Sequence, residues 1–451
     1  MSLNLDESGY RGLALERLIS SGANIGDTIR VGSKDESYTG ILMPRSQLGS
    51  DCEHIVLKLE SGYNIGIRIQ EDTEVTRVKH ARRRKAQRKP ISRESDSLPV
   101  ISVLSTGGTI ASKVDYRTGA VNPALSAQDL YDTVPEIRNY ANIRAKIVMS
   151  KLSENIHPDD WGVIARAVAT EIRKGADGVV VAHGTDTMAF TAAALSFALQ
   201  NLPVPVVLVG SQRSSDRPSS DAAMNLTGAI ILASRADAAE VMVLMHGKTD
   251  DSNLYAHRGT RVRKLHTSRR DAFQSVNEYP LYEVNDSVVK ELHPPLLRRD
   301  KERKLSVRAR FEPQVSLIKV YPGMSSDSIN HLVETGYRGI VLEGTGLGHA
   351  PSEIKDSVQS AIDNGVVVLM TSQCIFGRVD MNVYRTGVEL LDLGVIPCQD
   401  MLAETALVKL MWALANTKDP KKVTALIQSQ IAGETSMRSE MPAHIKHLGG
   451  D

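Results

Sequence analysis

Pro99-Val100-Ile101-Ser102-Val103-Leu104-Ser105-Thr106-Gly107-Gly108-Thr109-Ile110-Ala111-Ser112 is the stretch that decides the fold. An apolar run of strand length ends in a loop of hydroxyls and glycines, the pattern of a buried strand stopped by turn residues. The pattern recurs at Gly178-Val179-Val180-Val181-Ala182-His183-Gly184-Thr185-Asp186-Thr187-Met188. Both hydroxyl-bearing loops therefore stand at strand carboxyl ends. In a parallel α/β sheet that edge is where ligand crevices open. Two threonines there, one beside a carboxylate, supply a nucleophile and its activator, so an enzyme is expected.

Around these stretches, strand-like runs at residues 146–149, 206–209 and 241–245 alternate with helical periodicity at 157–174, 189–200 and 221–234. The alternation predicts a larger α/β domain with a parallel sheet over residues 99–290. Residues 281–313 read as charged and irregular, with an inter-domain linker at 291–312. Strand-like runs at 317–320, 339–342 and 366–370 then predict a smaller α/β domain at 313–440, closed by helices at 401–415 and 419–429. The polar tail beyond Gly433 reads as loose. At the other end, a short amphipathic helix and near-alternating runs at 29–31, 38–42, 54–59 and 64–69 predict a small β-barrel or roll over residues 1–80. Residues 81–98 read as a basic linker carrying Arg82, Arg83, Arg84, Lys85, Arg88 and Lys89.

Composition narrows the function. Lys and Arg total 54 against 53 Asp and Glu, a net charge of +1, so no overall field draws nucleic acid or an anionic membrane. A polyanionic partner would have to be read by a local patch. The 451 residues are enough for two or three separate cores. Cys52, Cys374 and Cys398 are odd in number and far apart, which argues against a disulfide framework and a structural zinc site. The start is polar and charged, and no apolar run reaches membrane-spanning length, so the cytoplasm is the expected location.

The loops carry competing readings. Thr109 follows a glycine pair that lets backbone pass close to a substrate, yet the same loop reads as a plain turn or a weak phosphate loop. It has neither GxGxxG nor a GKS/T ending, which leaves nucleotide binding little support. Thr185 and Asp186 precede an apolar helix and read equally as its cap. A threonine hydroxyl is a poor nucleophile without a base, and a desolvated lysine is a candidate. Lys264 is placed to return to the crevice, although beside Arg258, Arg261, Arg263, Arg269 and Arg270 it also reads as part of a solvated basic face.

In chain order, the Thr-Gly-Gly-Thr-Ile-Ala loop, the His-Gly-Thr-Asp-Thr-Met loop, Val209-Gly210-Ser211-Gln212-Arg213-Ser214-Ser215-Asp216 and residues 264–273 resemble bacterial-type asparaginases and glutaminases, over roughly residues 99–430. The resemblance implies Thr109 as nucleophile, assisted by Tyr116 in a mobile lid, with Gly108 near the oxyanion. It implies Thr185, Asp186 and Lys264 as a proton-passing set. Ser153 would receive the substrate α-carboxylate, with Trp161 at the expected downstream spacing, and Asp186 would pair with the α-ammonium. Glu154 departs from the glutamine common at that place and should change how the amine is held.

Residues 1–95 are foreign to a bare asparaginase, and with them the chain is similar to the D-subunit family of archaeal glutamyl-tRNA(Gln) amidotransferases. That likeness implies ammonia release from glutamine, or less readily asparagine, for a larger E-type transamidase subunit that amidates Glu-tRNA(Gln). It implies ATP and magnesium in the partner, no cofactor or metal in this chain, no membrane, and a homodimer core within a heterotetramer. Two rivals stand beside it: a free-standing cytosolic L-asparaginase, and a non-catalytic tRNA-binding or scaffold protein using residues 82–89 and the small β domain. That basic run reads more readily as a solvated linker.

Overall fold

The structure is a computed structural model that describes residues 9–32, 37–43, 53–59, 64–79, 97–107, 112–114, 121–123, 130–131, 134–213 and 220–438. The basic run 82–89, Cys52, Gly108, Thr109 and Tyr116 lie outside the described residues.

At the amino-terminal end, the helix Gly12–Ser20 packs on a five-stranded antiparallel sheet ordered Asn64–Arg68, His54–Lys58, Ser37–Leu42, Thr28–Gly32, Glu74–Lys79. Ile29, Val31, Leu42, Ile55 and Leu57 meet Ala14 and Leu18 of the helix. The strand Glu74–Lys79 escapes a sequence reading because almost all of it is exposed and charges interrupt its alternation. Among the described residues no ladder joins it to Asn64–Arg68, so the unit is an open roll.

The next unit is built on an eight-stranded sheet. Asn142–Ile147, Val100–Ser105, Gly178–Ala182, Val206–Val209 and Val241–His246 run parallel, in that spatial order. Leu254–Arg258, Tyr282–Asn285 and Val288–Glu291 continue the sheet antiparallel. The parallel expectation thus holds for the block that bears the threonine loops, and the sheet as a whole is mixed. The last two strands form a hairpin turning at Asp286, whose φ is +49°, inside a stretch whose charges read as irregular.

Val179, Val181, Leu208 and Val243 point to one face, beneath the helices Pro158–Arg173 and Met188–Ala198. Val180, Val207, Val209 and Leu244 point to the other, beneath Ala222–Arg235. Burial on both sides is why these strands read as unbroken apolar runs. The first face continues into a smaller four-stranded parallel sheet, Val315–Lys319, Gly339–Gly344, Val367–Ser372 and Ile396–Pro397, through the helix Ala403–Asn416. There Phe197 stacks on Trp412 with centroids 5.9 Å apart, a contact between the two units whose truncation would cost about 3–5 kcal/mol.

Two features bear on the site. Val100–Ser105 lies between Asn142–Ile147 and Gly178–Ala182, so the chain winds first to one side and then to the other. In parallel sheets such a reversal is where ligand crevices form, at the carboxyl ends, here between Val100–Ser105 and Gly178–Ala182. The tail, expected to be loose beyond Gly433, is instead anchored as far as 438: Glu434 is fully buried and pairs with fully buried Lys409 at 2.6 Å. No helix among the described residues is long and apolar enough to cross a membrane.

Candidate active site

The two central strands deliver their loops side by side. Beyond the strand ends, the Thr106 N–H donates to Ala182 O at 3.0 Å and the His183 N–H to Val209 O at 2.9 Å. The Thr106 hydroxyl donates to the same Ala182 carbonyl at 3.1 Å, so this buried threonine is spent on the backbone. Gly107 follows with φ +120°, and a Cβ there would lie 2.1 Å from Lys151 O, so only glycine lets the chain turn against residues 148–152. Lys151 is itself pinned to Asp160 at 2.7 Å. Burial raises the Asp160 carboxyl, but the His157 N–H and the Lys151 ammonium outweigh it and hold the carboxyl below its ordinary range.

In the second loop His183 is fully buried, with Nδ1 2.6 Å from Gly184 O and Nε2 2.9 Å from Thr191 Oγ1. A carbonyl only accepts, so Nδ1 carries the proton and Nε2 accepts from threonine. Burial pushes the imidazole down to about 4, which keeps it neutral. A Cβ on Gly184 would meet Ser153 Cβ at 2.8 Å and its Oγ at 2.9 Å. The Thr187 hydroxyl donates to Ser153 O at 2.7 Å. Ser153 is thereby brought against the threonine loop.

Thr187, not Thr185, holds the cap position of Met188–Ala198, and among the described residues no side chain caps that helix. The capping reading of Thr185 and Asp186 therefore gives way. Thr185 rests on the loop after Val206–Val209, where a Cβ on Gly210 would lie 2.8 Å from its Cγ2. Asp221 props that loop by accepting from the N–H groups of Gln212 and Arg213, both at 2.9 Å. Asn225 adds a bond to Gly210 O at 2.9 Å.

Lys264 ends the strand Val262–Lys264, which pairs with Phe273–Ser275. Its ammonium donates to Thr185 Oγ1 at 2.9 Å and to Asp186 Oδ1 at 2.6 Å. The lysine side chain is 14% exposed and that of Asp186 66%, so the lysine is largely buried while the carboxylate opens to solvent. Lys264 bonded in this way favours a Thr185 hydroxyl that donates elsewhere, and a neutral amine at the same place would accept its proton. A hydroxyl, a carboxylate and an amine so arranged have the geometry that a proton relay requires.

The structure brings Thr185, Asp186 and Lys264 together and sets Ser153 beside them. Glu154, next along the 3-10 turn Ser153–Asn155, is exposed. Trp161 lies in the core, edge-on to Phe311 at 5.3 Å between centroids, and is a packing residue. The solvated basic face does not form: Arg258, Arg261, Arg263, Arg269 and Arg270 pair with Glu240, Asp400, Glu404, Asp271 and Asp251 respectively. Sequence reasoning missed His183, Thr187 and Asn225 as supports. The signal available for Asn225 was a polar residue on the buried side of an otherwise apolar helix. Among the described residues no group of three or more His, Cys, Asp or Glu could hold a metal ion.

Comparison with known proteins agrees with this architecture. Family models match residues 100–296 (Asparaginase, N-terminal), 314–427 (Glutaminase/Asparaginase C-terminal domain) and 23–78 (GatD N-terminal domain). The thermostable L-asparaginase from Thermococcus kodakarensis superposes with a TM-score of 0.68 at 35% identity, over 75% of this chain and 100% of that one. L-asparaginase I from Vibrio cholerae gives 0.66 at 30% identity, over 76% and 100%. The glutamyl-tRNA(Gln) amidotransferase D-subunit from Pyrococcus furiosus is 50% identical over 430 residues, 93% of this chain and 96% of that protein. The D-subunit from Metallosphaera sedula is 50% identical over 437 residues, 96% and 97% of the two chains. With a matching amino-terminal domain, and relatives aligned over nearly their whole length, the chain belongs to the D-subunit family of glutamyl-tRNA(Gln) amidotransferases.

Proposed function

We propose that this chain releases ammonia from the side-chain amide of glutamine, or less readily asparagine, for a larger transamidase subunit that converts Glu-tRNA(Gln) to Gln-tRNA(Gln). The observation that carries the reading is the Lys264 ammonium bonded at once to Thr185 Oγ1 and Asp186 Oδ1 at the carboxyl edge of the sheet. The Thr109 hydroxyl attacks the amide carbon, assisted by Tyr116, and backbone donors near Gly108 and Thr185 hold the tetrahedral oxyanion. Collapse expels ammonia and leaves a threonyl ester. Water then cleaves the ester, with Thr185, Asp186 and Lys264 taking and returning the proton. Ser153 receives the α-carboxylate and Asp186 the α-ammonium, with Glu154 at the rim modifying how the amine is held.

The partner reading is supported over a free asparaginase by coverage. The asparaginase structures leave about a quarter of this chain unmatched, whereas the D-subunit relatives align over 93% and 96% of it. ATP and magnesium then belong to the transamidase, and the assembly is a homodimer of this chain carrying a partner on each side, working in the cytoplasm.

A pull-down from the native host, followed by ammonia assays on the recovered complex, tests the proposal. Glutamine-derived ammonia should depend on Glu-tRNA and the larger subunit, and Thr109→Val should abolish it without unfolding the chain. Full asparagine hydrolysis by the isolated chain, indifferent to any partner, would make it a free hydrolase. Full glutaminase activity in Thr109→Val would reassign the nucleophile.

A further inference from the structure

Lys264 has to be held to within a fraction of an ångström, yet its own strand is short. Among the described residues Val262–Lys264 pairs only with Phe273–Ser275 in a two-stranded sheet, an arrangement with little stability of its own. The grip comes from just upstream and from far along the chain. The Thr260 hydroxyl donates to Ala432 O at 2.8 Å, and Arg261 Nε to Gly433 O at 2.8 Å. Arg261 Nη1 reaches Asp400 O at 3.2 Å and Asp400 Oδ2 at 3.1 Å. Thr260 O accepts from Thr405 Oγ1 at 2.9 Å, and Arg263 pairs with Glu404 at 2.9 Å.

The segment 431–438 is fixed in turn. Its Ser436 donates to Asp400 twice, from N–H to Oδ1 at 2.9 Å and from the hydroxyl to Oδ2. Glu434 accepts from the N–H groups of Ile431 and Ala432 at 3.0 and 2.7 Å while it pairs with Lys409. The Arg261 and Asp400 side chains are 2% and 0% exposed, so neither charge can turn to water when a neighbour is lost. Buried polar chains of this kind hold one arrangement or loosen together.

We infer that residues 431–438 form a strap which, through Ser436 and Asp400, positions the Lys264 strand from the smaller domain. Asp400 and Ser436 are positioning residues: their described bonds go to Arg261, Asn277, Arg378, Arg438 and each other, while Lys264 carries the effect to Thr185 and Asp186. For its catalytic readout the inference rests on the proposed amide hydrolysis. The substrate contact assigned to Ser153 is left untouched by the strap, so loosening it acts on turnover more than on binding.

The test uses the full chain with its partner and two variants, Ser436→Ala, which removes only the hydroxyl arm, and Ser436→Thr, which keeps it. Well below the melting temperature, Ser436→Ala should lower kcat about tenfold with KM within about twofold, since small misplacements of a catalytic group cost turnover steeply. The ionisation limb of the kcat–pH profile should move, and reductive methylation of Lys264, followed by mass spectrometry, should quicken severalfold. Ser436→Thr should restore all three. A Ser436→Ala protein that melts lower but keeps the wild-type turnover, pH profile and labelling rate would reduce the strap to a structural brace and overturn the inference. A wild type that releases no ammonia would sink the proposed function instead, and the Lys264 labelling rates would still decide the strap.

Discussion

Lys264→Met keeps the length and apolar stem of the side chain and deletes only the ammonium. Two bonds go, the 2.9 Å bond to Thr185 Oγ1 and the 2.6 Å bond to Asp186 Oδ1. A hydrogen bond to a charged group contributes about 1.5–3 kcal/mol, and the Thr185 bond, on a lysine stem only 14% exposed, counts in full. Asp186 is 66% exposed, so its pairing is screened and adds no more than about 1 kcal/mol. The sum, about 1.5–4 kcal/mol, corresponds to a fall of roughly 10- to 1000-fold in kcat/KM for ammonia release. Steady-state assays of glutamine-derived ammonia, with circular dichroism to confirm folding, measure it. A folded Lys264→Met protein with more than half the wild-type kcat/KM would refute the relay, because no wired proton carrier is that dispensable.

Gly184→Ala drives a Cβ to 2.8 Å from Ser153 and should raise KM far more than it lowers kcat; equal effects on both would detach Ser153 from substrate binding. Glu434→Gln leaves the ammonium of Lys409 buried without its partner and should cost about 3–5 kcal/mol in urea denaturation, whereas a loss below about 1 kcal/mol would contradict the buried pair. His183 has a folded-state value of about 4 against an ordinary 6.5, so between those values the unfolded chain binds a proton that the folded chain refuses. Its contribution is therefore complete above pH 6.5 and is lost as pH falls toward 4. His183→Gln should flatten that part of the stability–pH curve, and an unchanged slope would show that His183 is not the group responsible.

The strands that lead into the two threonine loops were legible because a parallel sheet buried on both faces writes its strands as apolar runs. Lys264 was legible only as a candidate, since its reach to Thr185 depends on a strand that pairs locally and is gripped from residues near 400 and 430. Such grips join Thr260 to Ala432 and Arg261 to Gly433, and no local periodicity records them. The hairpin at Tyr282–Asn285 and Val288–Glu291 was hidden for a different reason: it lies at a sheet edge, where exposed charges erase alternation. The tail was misread because Glu434 looks solvated until Lys409, from a distant helix, neutralises it.

The Thr187 to Ser153 bond and the close approach at Gly184 weld the turn that begins at Ser153 to the relay loop, so neither can shift without the other. If Ser153 receives the substrate α-carboxylate, as proposed, this weld is a fixed ruler for one end of the amino acid. On the proposed reading, the extra methylene that separates glutamine from asparagine would have to be absorbed at the end that carries the reacting amide. Engineering of amide selectivity in this family should therefore leave the welded turn alone and redesign the reach of the nucleophile.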